Sequence, residues 1–148
     1  MAKHKKTNVL RILDQQKIPY IARPWDELPD QHAPMYKTLV TVGKSQEHYV
    51  FIVPTEAELD LKKAAEAVDE KNIHMIKEKE LLPLTGYVHG GCSPLAMKKT
   101  FRTIIDQSAG DFAHILVSAG QVGLSVEVNP EQIMAVIDGE FADIKTEA

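Results

Sequence analysis

Thr85-Gly86-Tyr87-Val88-His89-Gly90-Gly91-Cys92-Ser93-Pro94 places three glycines, a proline and the single cysteine of the chain within ten residues. Glycine lets a backbone turn, or approach another group, where a side chain would stand in the way. This stretch is therefore shaped for turning or for close approach of another group, and it is the most unusual of the chain. Cys92 inside it is a potential nucleophile, but no histidine or lysine beside it in sequence would activate the thiol, and it reads more readily as a small apolar filler. The six histidines, His4, His32, His48, His74, His89 and His114, form no i, i+4 pair and have no cysteine or acidic partner at ligand spacing. No metal and no cofactor is expected. Gly43-Lys44-Ser45 looks like the end of a phosphate-binding loop, but Thr38 stands where that motif needs its first glycine, and no helix is expected after it.

The elements that must position these residues follow from pattern and punctuation. Thr7 or Asn8 caps a first helix presenting Val9, Leu10, Ile12 and Leu13, which Ile18-Pro19 stops. Ile18 to Arg23 reads as a short strand. Pro24 to Pro34 holds three further prolines in eleven residues and reads as a loop. The runs 37–42 and 48–53 are β-branched and aromatic and predict an antiparallel hairpin. Asp60 caps a helix through Val68, followed by a strand at Ile73 to Ile76 and a helical stretch at Lys77 to Leu82. Strands are expected at Thr103 to Asp106, His114 to Ser118 and Leu124 to Val128. Asn129-Pro130-Glu131-Gln132 starts a helix running to Ile137, and Phe141 to Ile144 forms a last strand. Strands outnumber helices without βαβ alternation, which predicts a mixed α+β fold around one curved sheet.

The chain has 148 residues, 44% hydrophobic and 26% charged, a composition that buries a core and predicts a single domain over residues 1–148. No apolar run approaches the ~18 residues that span a bilayer, and the basic start lacks the apolar stretch of a secretory signal. With one cysteine, no disulfide framework is possible, and a cytoplasmic location is expected. The net charge of −4 is uneven: Lys3, Lys5, Lys6, Arg11 and Lys17 face Asp14 alone at the start, a basic stretch that could be a mobile tail. An acidic protein of this kind is not a tight, non-specific nucleic-acid binder, because that affinity needs many phosphate neutralisations. It could touch nucleic acid only through a local basic face, for which Lys98, Lys99 and Arg102 are the best candidates.

Three separated stretches, Tyr36-Lys37-Thr38-Leu39-Val40, Thr85 to Leu95 with Lys98-Lys99, and Val117-Ser118-Ala119-Gly120 with Gly123-Leu124, resemble the YbaK/ProX family of aminoacyl-tRNA editing domains. The family includes Cys-tRNA(Pro) deacylases and the editing insertion of bacterial prolyl-tRNA synthetases. The resemblance runs over nearly the whole chain. It implies a mostly antiparallel curved sheet curled into a partial barrel with helices around it. It also implies that Lys37 and Gly90 are the catalytic positions, and that Trp25, Thr38, Gly91, Ser93, Pro94, Ser118 and Gly120 bind substrate. The expected partner is the acceptor end of an aminoacyl-tRNA, with prolyl-tRNA synthetase as a possible second, and neither membrane nor metal is involved.

Ester cleavage needs an oxyanion to be stabilised, and the N–H groups of a turn such as Gly90-Gly91 can reach a carbonyl. Lys37 is better cast as a cation near a phosphate or a developing charge than as a base. No acid, base and nucleophile triad is discernible. The resemblance implies a way round this: in cysteine-specific members the substrate thiol attacks its own ester, an intramolecular route that needs mainly orientation. Alternatives remain open at this point: deacylation of Ala-tRNA(Pro) or another small aminoacyl-tRNA by water, or a non-catalytic module that docks on a synthetase or tRNA. Taken in isolation, Lys37 would be a solvated strand-edge lysine, Gly90-Gly91 a plain turn and Ser93 a turn residue. The family usually carries a further helix between the first strand and Lys37. The loop from Pro24 to Met35 is too short for it, which implies a pocket open on that side or completed by another subunit. Trp25 stands where members often have tyrosine, and Ala96 where a glycine often follows Ser-Pro-Leu.

Overall fold

A computed structural model describes residues 6–147, so the basic residues Lys3 and Lys5 lie outside it. Helix α1, Asn8–Gln15, begins where Thr7 Oγ1 accepts a hydrogen bond from Leu10 N at 3.3 Å, and it buries Val9, Leu10 and Leu13. Lys17 then takes a left-handed conformation, φ 59°, and Pro19 has no N–H to give. The first strand, β1, consequently starts later than its β-branched residues indicate and spans Ile21–Pro24. Trp25–Glu27 winds into a single 3-10 turn within the stretch expected to be loop.

Strands β2, Tyr36–Gly43, and β3, His48–Pro54, form the expected antiparallel hairpin. Helix α2, Leu61–Ala67, is capped by Asp60 Oδ1, which accepts from Lys62 N and Lys63 N, both at 3.0 Å. Strand β4, Ile73–Met75, returns to the free side of β2. Helix α3, Glu78–Thr85, runs a turn beyond its expected end, with Pro83 inside it, and stops where Gly86 adopts φ 87°. Strands β5, Arg102–Asp106, β6, Ile115–Gln121, and β7, Leu124–Val128, precede helix α4, Pro130–Ile137, and a short β8, Glu140–Ala142. Asn129 caps α4 by accepting from Gln132 N at 3.0 Å. The last strand ends two residues before Ile144 because that residue's N–H is taken by Asp106.

The fold is mixed α+β, but its strands hydrogen-bond into two sheets rather than one curved sheet. Five strands run in the order β4-β2-β3-β5-β8, and three in the order β1-β7-β6. Most pairs are antiparallel; β3 with β5 and β5 with β8 are parallel. Among the described residues the two sheets meet at one bridge, Met35 with Leu116, supported by Leu116 N donating to Pro34 O at 2.9 Å. No further bridge joins the two sheets among the described residues, so the ladder that would close a barrel stops there. The seam is filled instead by side chains: Tyr36, Ile52 and Ile105 of the larger sheet pack with Val117, Leu124 and Val126 of the smaller. Among the described residues no helix is long and apolar enough to cross a membrane.

Candidate functional site

A cavity of about 300 Å³ opens at this seam. The start of β2 contributes Lys37 and Thr38, the 3-10 turn contributes Trp25, β6 and β7 contribute Ser118 and Ser125, and the glycine-rich loop contributes Gly90 and Cys92. Ser118 and Ser125 stand directly opposite one another in the β6–β7 ladder. Trp25 is pinned as a wall: its backbone N–H reaches Gly123 O at 2.9 Å, and its indole Nε1–H donates to Ser125 Oγ at 2.9 Å. The glycine-rich loop is clamped by Tyr87, whose hydroxyl donates to Leu95 O across the loop at 2.5 Å.

Of the residues expected to bind or act, Lys37, Gly90, Trp25, Thr38 and Ser118 come together here. Lys37 enters no ion pair and no side-chain hydrogen bond among the described residues, so its ammonium is uncommitted. Gly90 has φ 87°, a conformation that an L side chain adopts only under strain. A Cβ there would touch only Val122 Cγ2 at 3.7 Å, so backbone shape and not crowding demands the glycine. Its N–H has no acceptor among the described residues.

The other expected residues do not line the cavity. Gly91 N–H is spent on Val88 O at 3.0 Å, and a Cβ on Gly91 would stand 3.0 Å from Val122 N, so this glycine permits the loop to lie on the β6–β7 turn. Ser93 is completely buried, and its Oγ accepts from Leu95 N at 3.3 Å, the turn role. Pro94 lines a separate depression beside Phe101 and Ile137. Gly120, φ 99°, lies beneath α1 and Tyr87, where a Cβ would meet Val9 Cγ2 at 3.2 Å. Its N–H donates to Ser118 Oγ at 3.1 Å. Lys98, Lys99 and Arg102 border three different depressions, and none of them lines the cavity. Arg102 is bound to Glu140 through Nε at 2.8 Å, and Lys98 Nζ leans on Pro83 O at 3.5 Å.

Several wall residues carry no signal in the sequence taken alone. Leu81, Leu116 and Met35 are ordinary apolar residues that only the fold brings to the cavity, and Ser125 is legible only once its pairing with Ser118 is known. Cys92 faces the cavity beside Leu81, and burial pushes its thiol up to about 12. Burial thus favours the neutral thiol, which argues against Cys92 as a nucleophile. Iodoacetamide at pH 7 is expected to leave Cys92 unmodified in the folded protein and to label it fully in urea, as read by mass spectrometry. Rapid labelling of the folded protein would restore the nucleophile reading. The arrangement therefore offers a cation, a backbone N–H without an acceptor among the described residues, several hydroxyls and the His89 imidazole around a mostly apolar hollow.

The sequence matches the aminoacyl-tRNA editing domain family over residues 28–136. It is 40% identical, across 99% of each chain, to EbsC of Enterococcus faecalis, named as a candidate Cys-tRNA(Pro)/Cys-tRNA(Cys) deacylase. That alignment runs over 162 positions against a chain of 148 residues, so the relative holds stretches with no counterpart here. Among solved structures, the fold is similar to that of the hypothetical protein APE2540, with a TM-score of 0.84 at 15% identity, covering 95% of this chain and 100% of the other. It is also similar to a candidate trans-editing enzyme for prolyl-tRNA synthetase, with a TM-score of 0.80 at 19% identity, covering 97% of this chain and 100% of that one. At these identities the structural likeness speaks for the fold alone.

Proposed function

The chain belongs to the aminoacyl-tRNA editing domain family, and from that premise we propose that it is a trans-editing deacylase clearing cysteine from mischarged tRNA(Pro), or from Cys-tRNA(Cys), in the cytoplasm. The observation that carries this reading is the cavity that brings Lys37 and Gly90 together, with the Cys92 thiol buried in its wall. A site of that kind suits a reaction whose nucleophile comes with the substrate. The cysteinyl sulfur attacks its own ester carbonyl, the new C–S bond closes a thiolactone, and the C–O bond to the ribose breaks. The proton lost by the thiol ends on the ribose hydroxyl. Gly90 N–H meets the oxyanion, and the Lys37 ammonium sits with the terminal phosphate or the developing charge. Proximity supplies much of the rate, since both reacting groups belong to one residue. It also supplies selectivity, because a pocket separates small side chains by only about 1–3 kcal/mol per methylene, whereas only a thiol can perform this step.

An acidic chain has little basic surface with which to grip the tRNA body. Prolyl-tRNA synthetase is the partner that would present it. Purified protein, offered Cys-tRNA(Pro), Cys-tRNA(Cys) and Ala-tRNA(Pro) separately, is expected to release cysteine as a trappable thiolactone and to spare alanine. Equal release of alanine would replace the thiol route by attack of water. Release of neither would leave a docking module rather than an enzyme.

A further inference from the structure

We propose that His89 is the proton relay of the site, the group that takes the proton from the substrate thiol and delivers it to the ribose oxygen as the ester breaks. The inference rests on the deacylase reading and supplies a step which that reading leaves open. Once the ring has closed, the sulfur and the ribose oxygen are bonded to the same carbon, so direct transfer between them would pass through a small strained ring with a sharply bent hydrogen bond. Such a bend makes the bond weak. A carrier that can both accept and donate a proton avoids it, and imidazole is the side chain whose ordinary pKa lies near neutrality. As the sulfur closes on the carbonyl carbon, its proton passes to the neutral imidazole. As the C–O bond breaks, the imidazolium returns a proton to the ribose oxygen and is neutral again.

The loop puts His89 in place. Gly91 N–H donates to Val88 O at 3.0 Å, which closes a turn with His89 and Gly90 at its two central positions. Gly90, at φ 87°, has the positive value that a type II turn requires at the second of these. The N–H that meets the oxyanion belongs to the peptide unit joining His89 to Gly90, and the imidazole hangs from the Cα at one end of that rigid plane. One turn thus positions both groups. His89 is exposed, lines the cavity, and makes no side-chain hydrogen bond or ion pair among the described residues. The other titratable side chains lining the cavity are Lys37, Tyr36 and Cys92, and none suits the task. An ammonium has no lone pair with which to accept. The Tyr36 hydroxyl is raised by burial and engaged with Ser108 Oγ at 2.7 Å, and burial holds the Cys92 thiol neutral. No carboxylate lines the cavity, and the β6–β7 turn against which the loop lies contributes Gln121 and Val122, neither of them charged.

An exposed histidine at a tRNA site has a second use, as a cation beside a phosphate, and the test separates the two. His89→Gln keeps a polar side chain that cannot relay a proton, and His89→Arg keeps a cation that cannot relay one either. In single turnovers with the protein in excess over Cys-tRNA(Pro), the saturating rate is expected to fall about 100-fold in both variants. The half-saturating concentration and the melting temperature are expected to stay at the wild-type values. The deficit should shrink as the pH rises towards the ordinary value of a thiol, about 8.5, because the thiolate then forms without a carrier. Wild-type turnover in His89→Arg beside a loss in His89→Gln would make His89 a phosphate contact and overturn the relay. Full activity in both variants, or a change confined to the half-saturating concentration, would overturn it too and leave the deacylase intact. If the wild-type protein in the same assay spares Cys-tRNA(Pro), the deacylase reading falls and this one falls with it.

Discussion

Lys37→Ala is expected to lower deacylation of Cys-tRNA(Pro) at least about 100-fold, the effect of removing one preorganised charge-stabilising group, while the melting temperature stays at the wild-type value. The two halves of this prediction have separate grounds. Lys37 lines the cavity, and its ammonium serves no ion pair or hydrogen bond among the described residues, so truncation breaks nothing in the frame. Its backbone remains paired with Val53, which holds the register of β2. A lysine kept for stability would behave in the opposite way, with a lower melting temperature and surviving turnover. Labelled Cys-tRNA(Pro) resolved on acid gels, beside thermal unfolding followed by circular dichroism, gives both numbers. Lys37→Arg keeps the charge but replaces a compact ammonium with a planar fork, and only partial recovery is expected. Normal turnover in Lys37→Ala would remove Lys37 from the mechanism.

The largest loss of stability is expected from Asp106→Ala. Asp106 is 1% exposed, and its carboxylate accepts from Ser108 N at 3.0 Å, Ile144 N at 3.0 Å and Lys145 N at 3.2 Å. Alanine leaves these donors unpaired, at a cost of about 3–5 kcal/mol. That is a large part of the roughly 5–15 kcal/mol available to a typical fold. The damage should reach the cavity as well, since Ser108 Oγ holds the Tyr36 hydroxyl at 2.7 Å and Tyr36 lines the hollow next to Lys37. Urea unfolding measures the loss directly, and a midpoint unchanged from the wild type would refute it.

The same carboxylate ties stability to pH. Burial favours the neutral acid, but the hydrogen bonds from Ser108, Ile144 and Lys145 outweigh it and hold Asp106 below its ordinary 3.8. A group whose pKa falls on folding binds protons more readily in the unfolded chain. Its contribution is therefore complete above the ordinary value and is lost as the pH falls below that value and through the folded one. Wild-type stability should decline over that acid window, and Asp106→Asn, which cannot titrate, should flatten that part of the curve.

The hairpin of β2 and β3 and the caps at Thr7, Asp60 and Asn129 were legible because each depends on neighbours in sequence. The break between the two sheets was not, because it depends on how Met35 meets Leu116, about eighty residues away. The site divides in the same way. Family resemblance marked Lys37 and Gly90, whose roles need a charge or a backbone conformation, and the structure seats both in the cavity. It also marked Gly91, Ser93 and Gly120, which stand close to the site in sequence but shape the turns around it. A motif records that a residue type is needed at a position, and local bonding alone separates contact with a ligand from support of the chain that makes contact. Arg102 shows the limit for charges, since its partner Glu140 lies on a different strand.

The single bridge between the sheets also bears on how such a site changes over evolutionary time. Trp25, Ser118 and Ser125 ride on one hydrogen-bonded platform, and Lys37 and Thr38 ride on the other. A continuous ladder would quantise the distance between them, since strands shift by whole residues and each shift turns the side chains over. Here the spacing is set by the volumes of Ile52, Ile105, Val117 and Val126 packed in the seam. Methyl groups added or removed among those residues, none of which lines the cavity, would widen or narrow it in small steps. The hollow can then be resized for a different acyl group while Lys37 and Gly90 keep their places on the chain.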